Sequence, residues 1–66
     1  MSYILVDLYA GQTKDTFDTE EDLIAYLKKE KTENLGGEGR YAIYKGTELN
    51  TIPFWRKAFG KSVYDS

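Results

Sequence analysis

Residues 2–10 alternate with a period of two. Ile4, Val6 and Leu8 fall on one face, and Tyr3, Leu5, Asp7 and Tyr9 on the other. Such alternation, rich in β-branched and aromatic residues, predicts a strand. Asp7 marks the second face as the wet one, which makes Ile4, Val6 and Leu8 the expected core face. Polar residues 10–15 include Gly11 and predict a turn. Thr16, Phe17 and Asp18 then end a short returning strand, closing a hairpin over residues 3–18.

The pattern changes period at residue 20. Leu23, Ile24 and Leu27 make a compact apolar stripe, preceded by Thr19 as an N-cap and by Glu20, Glu21 and Asp22 in the first turn. Lys28, Lys29 and Lys31 follow where the helix dipole favours positive charge, and Asn34, Leu35 and Gly36 supply a stop. The spacing predicts a helix over 20–33. Gly36, Gly37, Glu38 and Gly39 read as a flexible link.

Residues 40–44 predict a strand, turned by residues 45–48 into a second strand over 49–52. Two readings compete for the tail. Pro53 as first helical residue and Gly60 as stop frame a short helix with Trp55 and Phe59 four apart on one side. In the other, Ile52 and Phe54 continue the strand and Trp55 lies outward. Ser62, Val63 and Tyr64 add a short strand or fray. The sum is one α+β domain spanning residues 1–66. In it a single helix packs on one face of a three- or four-stranded, mainly antiparallel sheet, in the order β(β)αββ, with a short C-terminal helix or extended tail.

Composition then narrows the chemistry. The chain has 66 residues, no Cys and no His, so disulfide and zinc staples are both missing. Its ten aromatics must supply much of the packing. No apolar run approaches the roughly 18 residues of a membrane span, and no basic-then-apolar leader opens the chain; a cytoplasmic protein with no membrane role is expected. The net charge of −2 is uneven: residues 1–39 carry four basic and nine acidic side chains, residues 40–66 five basic and two acidic. Two different surfaces, or an acidic helix start beside ordinary surface lysines, explain the split.

Candidate sites for chemistry are weak. The Gly-rich stretch follows a helix and opens a strand, the reverse of a phosphate-binding loop, and Glu38 within it repels an anion. Asp15, Asp18, Glu20, Glu21 and Asp22 lack the alternation and glycine of a calcium loop, and helix capping accounts for them. Without His or Cys, acid–base or nucleophilic catalysis falls to Tyr, Lys or carboxylates, and nothing singles one out. The expectation is a non-enzymatic protein without cofactor or metal.

The most suggestive feature is a surplus of rings. The layout above buries Ile4, Val6, Leu8, Phe17, Leu23, Ile24, Leu27, Tyr41, Ile43, Ile52 and Phe54. Tyr3, Leu5, Tyr9, Tyr26, Tyr44, Trp55, Phe59 and Tyr64 are left to house. Either the tail folds back over them as a second small core, or several face a partner. Tyr, Trp and Arg are enriched at binding hot spots, so Tyr3, Tyr9, Tyr44, Trp55, Arg56, Lys57 and Phe59 are the expected contact residues. A protein partner fits best, with the chain acting as a regulator or inhibitor. Accessory proteins of bacteriophages and mobile elements are an analogy of size only. Single-stranded nucleic acid is the alternative, with Arg40, Lys45, Arg56, Lys57 and Lys61 interleaved among aromatics. Self-association through the open sheet face is a third. From its mass the chain should expose roughly 4,300 Å², of which a standard interface of ~800 Å² takes about a fifth.

Overall fold

The computed structural model describes residues 2–65. Strands β1 (Tyr3–Asp7) and β2 (Gln12–Phe17) form the first hairpin, and helix α1 (Glu20–Lys29) follows. Two single turns of 3-10 helix (Thr32–Asn34 and Glu38–Arg40) lead to β3 (Tyr41–Lys45), β4 (Thr47–Leu49) and helix α2 (Ile52–Phe59). The sheet order is β2-β1-β3-β4, antiparallel throughout. The α+β class is therefore as read from the sequence, and both the returning strand and the tail helix are present.

One face of the sheet carries the core. Leu5 of β1 lies opposite Ile43 of β3, and Asp7 opposite Tyr41. Leu5, Tyr41 and Ile43 are buried with Leu23 and Leu27 of α1 and Phe54 and Trp55 of α2. The two helices thus share that face, packed against each other. Ile4, Val6, Ala42 and Tyr44 lie on the opposite face and take no part in this cluster.

This reverses the face expected for β1. Leu5 is 0% exposed, whereas Leu8 is 51% exposed and stands in the hairpin turn beyond the strand. Ile4 and Val6 are only half-buried. Both faces of β1 are apolar, so alternation alone leaves a tie between them. Asp7 is itself buried, 3% exposed, because partners described below compensate its charge.

Several boundaries also move. Residues 12–15, expected in the first turn, are strand β2, and the turn is residues 8–11. Thr19 caps α1 as expected, its hydroxyl accepting from the Asp22 amide at 3.1 Å. The helix, however, ends at Lys29 and not at 33. Lys31 adopts φ 50°, in the left-handed region, and the buried Thr32 hydroxyl donates to the Leu27 carbonyl at 3.2 Å. That bond occupies an acceptor the helix leaves free at its C-terminus and turns the chain aside. In the second hairpin, Lys45 pairs directly with Thr47 around Gly46, whose φ of 77° suits glycine. The expected turn residues Thr47 and Glu48 are therefore strand, and Ile52 begins α2 instead of ending a strand. Pro53 lies in the first turn of α2, and Gly60 closes it with φ 82°.

The structure houses most of the surplus rings. Trp55 stacks on Tyr41 (centroids 6.1 Å apart) and meets Phe59 at 6.1 Å; Tyr3 meets Phe54 edge-on at 6.0 Å; Phe17 packs on Tyr26 at 5.1 Å. A second helix on the same face does what a single helix leaves undone. The chain exposes 4205 Å² in all.

The face assignment is checked by two truncations. Leu5→Ala should lower unfolding free energy by about 2–5 kcal/mol, and Leu8→Ala by about 0.5 kcal/mol or less, in urea titrations at neutral pH. The reverse order would mean that β1 presents its other face to the helices.

Candidate functional site

Two carboxylates drawn into the body of the protein organise the end of the sheet where β1 finishes and β3 begins. Asp7, the last residue of β1, accepts from the Arg40 guanidinium through Nε (3.1 and 3.2 Å) and Nη2 (2.9 Å). It also accepts from the amides of Tyr9 and Ala10 at 3.0 and 3.1 Å. One side chain therefore fixes the hairpin turn and ties it to the start of β3. The pairing holds the Asp7 carboxyl at about 2, down from 3.8, first through the Arg40 hydrogen bonds and then the turn amides, against a desolvation that pushes it up.

Arg40 has further work. Its Nη1 donates to the Leu35 carbonyl at 2.7 Å, and its guanidinium lies over the rings of Tyr9 (5.3 Å) and Tyr41 (5.8 Å). The Leu8 amide donates to the Arg40 carbonyl at 2.8 Å. Gly36 serves this packing: a Cβ there would come within 2.9 Å of Arg40 Cδ, and its φ of 118° is glycine territory.

Glu38 is the second carboxylate. It is 1% exposed and makes no ion pair among the described residues. Thr51 donates to its Oε2 at 2.8 Å; Ser62 Oγ (2.5 Å) and the Val63 amide (3.2 Å) donate to Oε1. The turn at residues 38–40, the entry to α2 and the tail thus meet on one side chain. Far from being a loose link, the Gly-rich segment is built around it. The Thr51 hydroxyl, spent on Glu38, caps no helix amide; Asn50 Oδ1 accepts from the Ile52 amide instead. At the far end of the tail Asp65 is bonded to Arg56 and to the Ser62 amide.

These anchors tie together the segments that carry the exposed apolar residues. Among the described residues five large ones are exposed: Leu8, Tyr9, Leu35, Val63 and Tyr64. Each belongs to a segment that touches residues 35–40. Leu8 and Tyr9 reach it through Arg40, Leu35 is part of it, Val63 hangs on Glu38, and the Tyr64 hydroxyl lies 3.8 Å from where a Cβ on Gly39 would stand.

The expected contact residues fare unevenly. Tyr9 is 74% exposed and belongs to this end face. Trp55 does not: it is 2% exposed and part of the core, which overturns its expected outward position. Phe59 and Tyr3 are half-buried against the same core, and Tyr44 is half-buried on the other sheet face. Arg56 is engaged by Asp65, and Lys57 by Glu20 at 2.7 Å. The structure does not bring these seven residues together. Tyr64 is one of the rings the sequence leaves to house, though outside the expected contact residues; Leu8, Leu35 and Val63 go unnoticed because exposure of single apolar positions leaves no trace in local sequence.

Beside the end face lies a cleft of about 380 Å³ lined by Glu33, Gly37, Trp55, Phe59, Lys61, Ser62, Val63 and Asp65. Trp55 carries a buried Nε1–H that meets no acceptor among the described residues. A buried donor left unpaired costs on the order of 1–3 kcal/mol. A wider, more polar depression of about 520 Å³ runs between the end of β2 and α1, past Asp18, Asp22 and Lys29. Among the described residues no group of three acidic, Cys or His side chains is placed to hold a metal ion, and no helix is long and apolar enough to cross a membrane.

The fold defines a small α+β protein, a four-stranded antiparallel sheet with two helices on one face. Comparison with known proteins finds no matching family model, no similar curated protein and no similar solved structure.

Two measurements check the anchors. Asp7 has a lowered carboxyl pKa, so its contribution is complete above about pH 4 and lost as pH falls from 3.8 towards 2. Asp7→Asn should be less stable at neutral pH and lose less stability over that interval in thermal unfolding. Asp65, lowered by its Arg56 hydrogen bond, acts in the same direction, so Asp65→Asn should retain the Asp7 step. Equal slopes for wild type and Asp7→Asn would refute the pairing. Glu38→Ala strands the Thr51 and Ser62 hydroxyls and the Val63 amide; a loss of about 1–3 kcal/mol or more is expected, with faster amide exchange at residues 62–65. Unchanged exchange there would show that the tail is held by something else.

Proposed function

We propose that this protein is a non-enzymatic interaction module, a regulator or inhibitor that binds a protein partner through the end face around residues 35–40. The observation that carries the reading is that all five large exposed apolar residues of the described chain lie on segments tied to residues 35–40. Scattered apolar side chains on a surface need no explanation; a concentration of them does. Arg40 held between Tyr9 and Tyr41 adds the residue types that dominate hot spots, already ordered before any partner arrives.

The nucleic-acid alternative has less support. Of the five basic residues in the C-terminal half, Arg40, Arg56 and Lys57 are neutralised by Asp7, Asp65 and Glu20. Lys45 lies over the Tyr3 ring, 4.6 Å from its centroid. Phosphate binding on this surface would have to break those pairs. Self-association through the sheet face bearing Ile4, Val6 and Tyr44 is a third reading, open to sedimentation across concentration.

The test is affinity capture followed by measurement of binding to the captured protein. Leu8→Asp and Tyr64→Ala should each weaken binding by about tenfold or more, while Lys57→Ala, away from the end face, leaves it unchanged. Equal binding by all three variants would sink the end-face reading. Salt-steepened binding to single-stranded DNA or RNA would favour the alternative.

A further inference from the structure

We propose that the depression between the end of β2 and α1 seats an arginine side chain presented by a basic segment of the partner protein. The inference rests on the reading that the partner is a protein, and it adds a second point of contact whose chemistry it names.

The floor of the depression is aromatic. Phe17 and Tyr26 lie 5.1 Å apart, tilted by 51°, and both are only half-buried, so part of each ring stays open to a ligand. Asp22, Ala25, Tyr26 and Lys29 stand at the i, i+3, i+4 and i+7 positions of one helix stripe. The methyl of Ala25 in that stripe leaves room between its longer neighbours. At about 520 Å³ the space is within the span of ligand sites.

Carboxylates set its charge. Asp18 and Asp22 line it, both exposed, and neither makes an ion pair among the described residues. The cap of α1 uses the Asp22 amide and not its carboxylate, and Glu20 and Glu21 also answer the positive end of the helix dipole. The negative field extends past the lining: burial first, then the charges of Glu30 and Asp15, push the Tyr26 hydroxyl up. Lys29 is the single cation of the lining. It stands seven positions beyond Asp22, about 10 Å along the axis, so the end at Asp18 and Asp22 stays negative.

Rings beside carboxylates select a cation that also stacks, which a guanidinium does better than an ammonium. The chain holds one such arrangement filled from within, where Arg40 pairs with Asp7 and lies over Tyr9 and Tyr41. At Phe17 and Tyr26 the rings and carboxylates recur, and among the described residues no cation lies over either ring. Two other occupants are disfavoured. An added strand meets an edge blunted by the register slip between Leu5 and Val6 and by Asp15, whose Oδ1 accepts from the Thr16 amide at 2.8 Å. A metal ion finds no group of three ligating side chains among the described residues.

The probe is acetyl-Gly-Arg-Gly-Arg-Gly-amide, titrated at low salt into the intact, isotope-labelled protein. The expected result is a saturable shift of the Phe17 and Tyr26 ring protons and of the Ala25 methyl. The same peptide with citrulline for arginine, alike in length and shape but uncharged, should cause none. Asp18→Asn combined with Asp22→Asn should weaken the arginine peptide by about tenfold. Ala25→Leu, which crowds the stripe and keeps every charge, should weaken it too. Glu33→Gln combined with Glu48→Gln, an equal loss of charge at exposed positions outside the depression, should leave it unchanged. No saturable shift, an equal response to the citrulline peptide, or equal weakening by both pairs of substitutions would overturn the proposal. A lysine peptide bound as tightly as the arginine one would overturn it as well, since the rings would then play no part in selection. The outcomes separate this proposal from the end-face reading. Loss of partner binding in Leu8→Asp with no response to the arginine peptide sinks the depression alone. A response to that peptide with partner binding intact in Leu8→Asp and Tyr64→Ala sinks the end face alone.

Discussion

The ion pair between Asp7 and Arg40 is the constraint on which most of this architecture turns. It places a carboxylate on the core side of β1, which a folded protein tolerates only when that charge is fully answered. The guanidinium fork and two turn amides answer it. In return, the first hairpin turn, the start of β3 and the loop at Leu35 are locked to one another. The inward face of β1 then follows, because Leu5 shares the parity of Asp7.

Glu38 does comparable work for the other half of the chain. A domain of this size has little apolar area to spend on holding a tail, and residues 61–65 add few buried side chains. The buried carboxylate substitutes hydrogen bonds for area, with three donors from two distant segments converging on it. That economy leaves Val63 and Tyr64 exposed but fixed. It also places the tail against Trp55, forming the cleft. Anchoring and exposure are thus products of the same two carboxylates, and the end face is ordered without being covered.

Local signals were read well where short-range chemistry decides. Thr19 capping, the acidic first turn of α1, Gly60 as a stop and the Pro53-led tail helix all depend on residues within a turn of one another. The hairpin over 3–18 was legible for the same reason. The readings that failed depended on partners far along the chain. Asp7 looked like a solvent marker because Arg40 lies 33 positions away. Glu38 looked like a loop charge because Thr51 and Ser62, 13 and 24 positions off, are what bury it. Trp55 looked like a surface anchor because a layout with one helix had no room for it; α2 folding onto the core face made that room.

From its sequence alone, then, this chain determined its class, the existence of both hairpins and of the first helix, the capped start of that helix, and a tail helix as one of two readings, since capping, turn geometry and side-chain period act between neighbours. Only the tertiary structure decided which side of β1 is wet, which aromatic rings are concealed and where the exposed ones collect. Those outcomes hang on whether a buried charge finds its counterpart, and that is a matter of three-dimensional convergence that no local pattern encodes.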